Sequence, residues 1–293
     1  MPHALQEITL DNPSLFKGQP VHGSYRIGRA SPSAPLPAQL LSKDTRNFNP
    51  TLQEDPVNSR RVIALVAGVF FILAFLASVP GPFFLYRDIL HDPQYILTGS
   101  GDARVFLGAF LEVILAISVI GTAVTLFPIV KQQNEGIALG YVCGRVAEAV
   151  IIVVGIICLL SIVTLRHDFA GGTGANAGSF VTVGKSLVAV HDWTFLLGPN
   201  IALGPNTFML AYLMYKSRLV PRFIAILGLI GGPLLFAFAT AVMFGVFEQV
   251  SVWGAIGALP VFAWEMSLAV WLIFKGFATS PVLDPRSQHR GGS

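Results

Sequence analysis

Charge is scarce in this sequence. Asp, Glu, Lys and Arg make up 12% of its 293 residues, against about 25% in soluble domains. That shortage excludes an ordinary soluble enzyme and a solvated, disordered chain. Cysteine is scarcer still, at two residues. Cys143 and Cys158 fall in one predicted helix, about 22 Å apart at roughly 1.5 Å per residue, so they cannot bridge within it. A disulfide framework and a cysteine zinc site are both excluded. There is no Walker A loop, GxGxxG, HExxH or GxSxG, nor a His-based signature of intramembrane hydrolases. The expectation is therefore no catalytic set, no cofactor and no enzyme. A net charge of +3 is too small an excess to point to nucleic acid.

What the chain has in abundance is apolar side chains. They make up 53% of it, and the mean hydropathy is +0.66. From Arg60 onward the sequence is a series of apolar runs: Val62–Val79, Val105–Val130, Ile137–Leu165, Trp193–Tyr215, Phe223–Val246 and Val252–Ile273. Crossing a hydrocarbon core takes about 20 helical residues. Barrel strands would be shorter and alternating. The predicted fold class is all-α, an integral membrane bundle of about six transmembrane helices over residues 60–278. Residues 1–59 differ, with eight prolines and the run Ser31–Pro37 (SPSAPLP). They read as a disordered Pro-rich tail, with a short polar tail at 279–293.

An even number of spans places both ends on one side. Arg60, Arg61, Lys131, Lys216, Arg218, Arg222 and Lys275 collect at one end of the predicted bundle. Arg87, Arg104, Arg166 and Lys185 collect at the other. The richer end is predicted to be cytoplasmic. The outer connections, Pro80–Arg104 and Arg166–Asp192, are then the long ones, and Gly171–Ser179 (GGTGANAGS) within the second is expected to be mobile.

Four ionisable residues fall inside the spans: Glu112, Arg145, Glu148 and Glu265. A charge at the bilayer centre costs about 2.5–3.5 kcal/mol on insertion scales, so each needs a partner or a wet cavity. Arg145 and Glu265 lie at similar predicted depths, about 12 and 15 Å above the inner ends of their helices. They are therefore able to pair. Glu148 shares the Arg145 face three residues on. One arginine cannot neutralise three carboxylates, which points to a proton, a cation or water among them. The competing reading is a polar staple between helices. Gly136, Gly140 and Gly144 recur every fourth residue before Glu148 and read as a close-packing face that holds Glu148 away from lipid. Gly228 and Gly232 read the same way.

Span four contains a tandem repeat, Leu197–Asn200 and Leu203–Asn206, both LGPN. Pro199 and Pro205 each remove a backbone donor and kink a helix. Asn200 and Asn206 add amides at membrane depth, and broken helices near the midplane line solute sites in transporters. Together Glu112, Arg145, Glu148, Glu265, Asn200 and Asn206 form the candidate buried polar cluster.

Three histidines precede aspartate: His91, His167 and His191. Composition alone yields about 0.2 such pairs. All three fall in outer segments, where imidazole and carboxylate would suit a divalent metal or a pH-sensitive cluster. The alternative is three unrelated interface positions.

The run Tyr212–Leu234 (YLMYKSRLVPRFIAILGLIGGPL) and the closing Glu265–Phe277 (EMSLAVWLIFKGF) resemble helices of the bacterial domain-of-unknown-function 4386 family. Arg145 with Glu148, and His191-Asp192-Trp193 with the LGPN run, resemble further positions of that family. The resemblance spans about Arg60–Phe277. It implies a multi-pass inner-membrane protein and no particular activity. Three functions follow as expectations. The first is a non-enzymatic protein handling a small solute, ion or lipid. The second is an accessory subunit with a membrane-protein partner, or a homo-oligomer. The third is an outer-face metalloenzyme.

Overall fold

The computed structural model describes residues 56–92, 94–98, 101–172, 176–249 and 251–280. The predicted tails lie outside the described residues, apart from 56–59, which open the first helix, and 279–280. The described residues are helical and contain no strand. Their helices are α1 (Pro56–Ser78), α2 (Arg87–His91), α3 (Tyr95–Thr98), α4 (Asp102–Val130), α5 (Glu135–Gly171), α6 (Ala177–Leu196), α7 (Leu203–Ser217), α8 (Arg222–Met243) and α9 (Val252–Phe274). Two π-helical turns interrupt the series, Gly81–Leu85 after α1 and Leu197–Ala202 between α6 and α7.

Five helical stretches are long and apolar enough to cross a membrane: Asn58–Leu85, Asp102–Val130, Glu135–Ala170, Arg222–Met243 and Val252–Phe274. Only 28% to 50% of the most apolar window of each is buried within the protein. The remainder presents large apolar side chains outward, such as Phe110, Ile117, Val150, Ile157 and Ile230. A water-soluble chain does not expose apolar surface on this scale. These are the helices of a membrane protein.

The expected fourth span, Trp193–Tyr215, is built differently. It begins inside α6, passes through the second π turn and ends in α7, in segments of 20, 6 and 15 residues. The long outer loops also need correction. Pro80–Arg104 carries a π turn and two short helices, while Arg166–Asp192 is mostly the end of α5 and the whole start of α6. Hydropathy marks where lipid ends, not where a helix ends. Of the glycine-rich run, residues 173–175 lie outside the described residues, and α6 begins at Ala177.

Local chemistry sets several of these ends. The Asn134 side chain accepts from the Ile137 N–H at 2.9 Å and starts α5. Asn176 accepts from Gly178 and Ser179 and starts α6. Ser251 accepts from Gly254 at 3.2 Å and starts α9. Each satisfies a donor that the first helical turn leaves free. α7 stops where Arg218 turns left-handed at φ 55°.

The helices close a ring in which α1 packs on α4 and α9, α5 on α4, α6 and α7, and α8 on α7 and α9. One apolar core lies toward the end bearing Arg60 and Lys275, around Phe71, Leu126, Tyr141, Leu213, Trp264 and Leu268. A second lies at the far end, around Tyr86, Tyr95, Ile96, Leu159 and Ile162. Between them a smaller core joins α4 and α5 through Ala109, Ala116, Val119, Ala149, Ile152 and Ile156. That thin middle layer leaves room opposite it.

Candidate functional site

A cavity of about 230 Å³ occupies that space. Glu112 and Leu115 of α4 line it, as do Arg145, Glu148 and Ile152 of α5 and Glu265 of α9. His191 and Thr194 of α6, Asn200 of the second π turn, and Phe75 and Phe83 from α1 and the first π turn complete much of its wall. Five of the six predicted polar-cluster residues therefore meet at one place.

Arg145 sits at the deep side of the group and is 3% exposed. Its Nη1 donates to both Glu148 carboxylate oxygens, at 3.3 and 3.2 Å, and its Nη2 donates to Glu265 at 3.1 Å. The two carboxylates come from α5 and α9, so the guanidinium ties two helices together. The faces of Tyr141 and Phe71 lie 5.6 and 6.0 Å from its centre, near enough for cation–π attraction. Its Nε is buried without a hydrogen-bond partner.

Asn206, the sixth predicted residue, is 1% exposed and stands behind this pair rather than in the cavity wall. Its amide donates to Glu148 at 3.1 Å. The reason lies in α5, where Gly140 and Gly144 face α7. A Cβ at Gly140 would meet the Met209 sulfur at 3.2 Å, and one at Gly144 would overlap the Asn206 amide. Gly136 meets nothing of α7. Gly228 and Gly232 likewise let α8 approach α7, where Cβ atoms would meet Ala211 and the Gly204 carbonyl. The small-residue faces thus do what close packing requires.

Asn200 has a different task. Its side-chain amide donates to the Phe195 carbonyl at 2.9 Å. That carbonyl lies four residues before Pro199, which has no N–H to return. The first LGPN forms the π turn, and the second opens α7. The broken helix predicted from the two prolines is a π turn facing the cavity.

Glu112 stands apart from Arg145's hydrogen bonds. It is 8% exposed, and the Tyr86 hydroxyl and His191 are the groups that act on its carboxylate. The Tyr86 hydroxyl is buried beside Glu112 and interacts with it through charge and hydrogen bonding. The His191 and Tyr86 rings meet edge to face, with centroids 6.0 Å apart. His191 also interacts with Glu112 through charge. Of this group the sequence points to Glu112 and His191 but not to their meeting, nor to Tyr86, which arrives from an irregular turn with no periodic signal.

The structure places the three candidate metal ligands apart from one another. His91 is exposed on α2, with Nδ1 3.0 Å from the Arg87 carbonyl. His167 lies 2.8 Å from Asp102. His191 faces the cavity. Among the described residues, no three His, Cys, Asp or Glu side chains gather closely enough to hold a metal ion. Asp102 instead ties the far ends of α4 and α5 together. It receives Arg166 and His167, and Tyr95 Oη at 2.9 Å. Burial and then that bond to Asp102 raise the Tyr95 phenol above its ordinary range, so it remains a donor.

The profile of the family described as Domain of unknown function (DUF4386) matches residues 66–276. The chain belongs to the DUF4386 family. Every residue that lines the cavity falls within this DUF4386 match, from Ala74 to Glu265. No curated protein and no solved structure matches the chain.

Proposed function

We propose that this DUF4386 protein is a non-enzymatic, multi-pass protein of the cell membrane that holds a small solute or ion in the cavity between α1, α4, α5 and the α6–α7 break. In this reading α6, the π turn and α7 supply a sixth crossing, and both ends are cytoplasmic. The observation that carries it is the cavity's content: three carboxylates, one guanidinium and one imidazole around about 230 Å³, at membrane depth. A staple between helices needs no space beside it. Polar groups around an open volume, next to a broken helix, are the arrangement that solute carriers use. The excess of Lys and Arg at the Arg60 end supports the orientation.

The test is small-molecule extraction from detergent-purified protein, compared with an Ala74→Phe variant that fills the cavity from α1. A molecule enriched with the wild type, and lost from an equally well-folded variant, is the expected result. Identical extracts from the two proteins would sink the proposal.

A further inference from the structure

Resting on the cavity being a ligand site, we infer that its ligand is an organic monocation, an amine with a small apolar body, seated on the carboxylate of Glu112. The charges decide the sign. Of the groups around the cavity, Arg145 is the fixed cation, and both its terminal nitrogens are already bonded to Glu148 and Glu265. Its Nε is sealed from solvent and cavity alike. His191 Nδ1 lies 3.4 Å from Asp192. Two carboxylates already face the guanidinium, so its charge is matched before any anion arrives.

The Glu112 carboxylate is the reverse case. It is more than nine-tenths buried, lines the cavity and is set against the Tyr86 hydroxyl and the His191 ring, with no guanidinium or ammonium bonded to it. A buried carboxylate that lacks a fixed cation is costly, and a ligand cation relieves that cost. With Arg145 set against Glu148, the Glu265 carboxylate adds to the negative potential there, at 21% side-chain exposure.

The walls decide the body. A bare metal ion needs several oxygen or nitrogen ligands at once, and no such group exists among the described residues. The cavity instead presents Phe75, Phe83 and Phe195 beside Val79 and Leu203. Aromatic faces attract a cation and bury apolar carbon together. An engineered cavity of about 150 Å³ admits benzene, so about 230 Å³ admits a single ring with a short amine arm.

The experiment uses the full chain in detergent and three probes of one shape: phenethylammonium, the neutral 2-phenylethanol and the anionic phenylacetate. Thermal unfolding and calorimetric titration read binding. Phenethylammonium is expected to raise the melting temperature, with the other two much weaker. Glu112→Gln, close to isosteric, should weaken the amine roughly tenfold to a hundredfold, the worth of a charge-assisted hydrogen bond. Ala74→Phe should abolish binding without touching a charged residue. Equal binding of the alcohol would mean an apolar pocket only, and would overturn the assignment. Preferential binding of phenylacetate would overturn it while leaving a solute site standing. If none of the three binds to cooperatively folded protein, the amine assignment fails, and the extraction comparison alone judges the wider reading.

Discussion

The Glu148 carboxylate depends on a residue that never touches it. Gly144 has no side chain, and that gap is where the Asn206 amide lies on its way to Glu148. Asn206 is fully enclosed and short, so it has nowhere to retreat. Gly144→Ala should therefore break the Asn206 bond to a charged acceptor, which contributes about 1.5–3 kcal/mol. The better helix propensity of alanine offsets up to about 1 kcal/mol of that. The net expectation is a destabilisation of about 1–2 kcal/mol, read as a lower melting temperature in detergent. Gly136→Ala is the internal control. Its Cβ would meet only the Asn134 side chain at an ordinary 3.5 Å, so it should not lower the melting temperature. Equal losses at both positions would mean that general helix packing, and not the Asn206 contact, governs this face.

At the level of whole elements, α9 ends on a borrowed cap. Arg61 of α1 donates through Nη1 to the Leu272 carbonyl at 2.9 Å and through Nη2 to the Ile273 carbonyl at 2.5 Å. A cation at a helix C-terminus satisfies free carbonyls and opposes the helix dipole. Arg61 is exposed, so its contribution is modest. Arg61→Gln should cost about 1 kcal/mol, and hydrogen exchange should rise first in the last turn of α9. An unchanged exchange rate there would deny the cap any role.

The sequence made five of the spanning helices legible because transfer into lipid is a property of the local run of side chains. The depths of Arg145 and Glu265 were legible for a related reason: rise per residue converts position into height. The α6–α7 unit was only half legible, since its first half is too polar and glycine-rich to read as membrane. Asn200's bond to Phe195, Tyr86's approach to Glu112 and the isolation of His91 depend on where irregular turns place distant segments. No periodicity encodes that.

For the molecule as a whole, the proposed sixth crossing rests on the α6–α7 unit, and its two ends offer a direct check. Asp168 lies exposed past the last apolar turn of α5, Gln132 lies exposed in the α4–α5 connection, and Lys216 lies exposed at the foot of α7. In a Cys143→Ser/Cys158→Ser background, single cysteines at these positions can be probed with a membrane-impermeant maleimide. Replacing Lys216 removes one of the seven basic residues at that end, which leaves the Lys/Arg bias in place. If α5 and the α6–α7 unit both cross, Asp168→Cys reacts in intact cells, while Gln132→Cys and Lys216→Cys react only after lysis. Reaction of Lys216→Cys in intact cells, beside Asp168→Cys, would mean that the π-turn helix dips into the membrane and returns. That outcome would also place the start of α1 and the end of α9 on opposite sides, which the Arg61 bonds to the Leu272 and Ile273 carbonyls do not allow, so it would overturn the packing of α1 on α9 together with the sixth crossing.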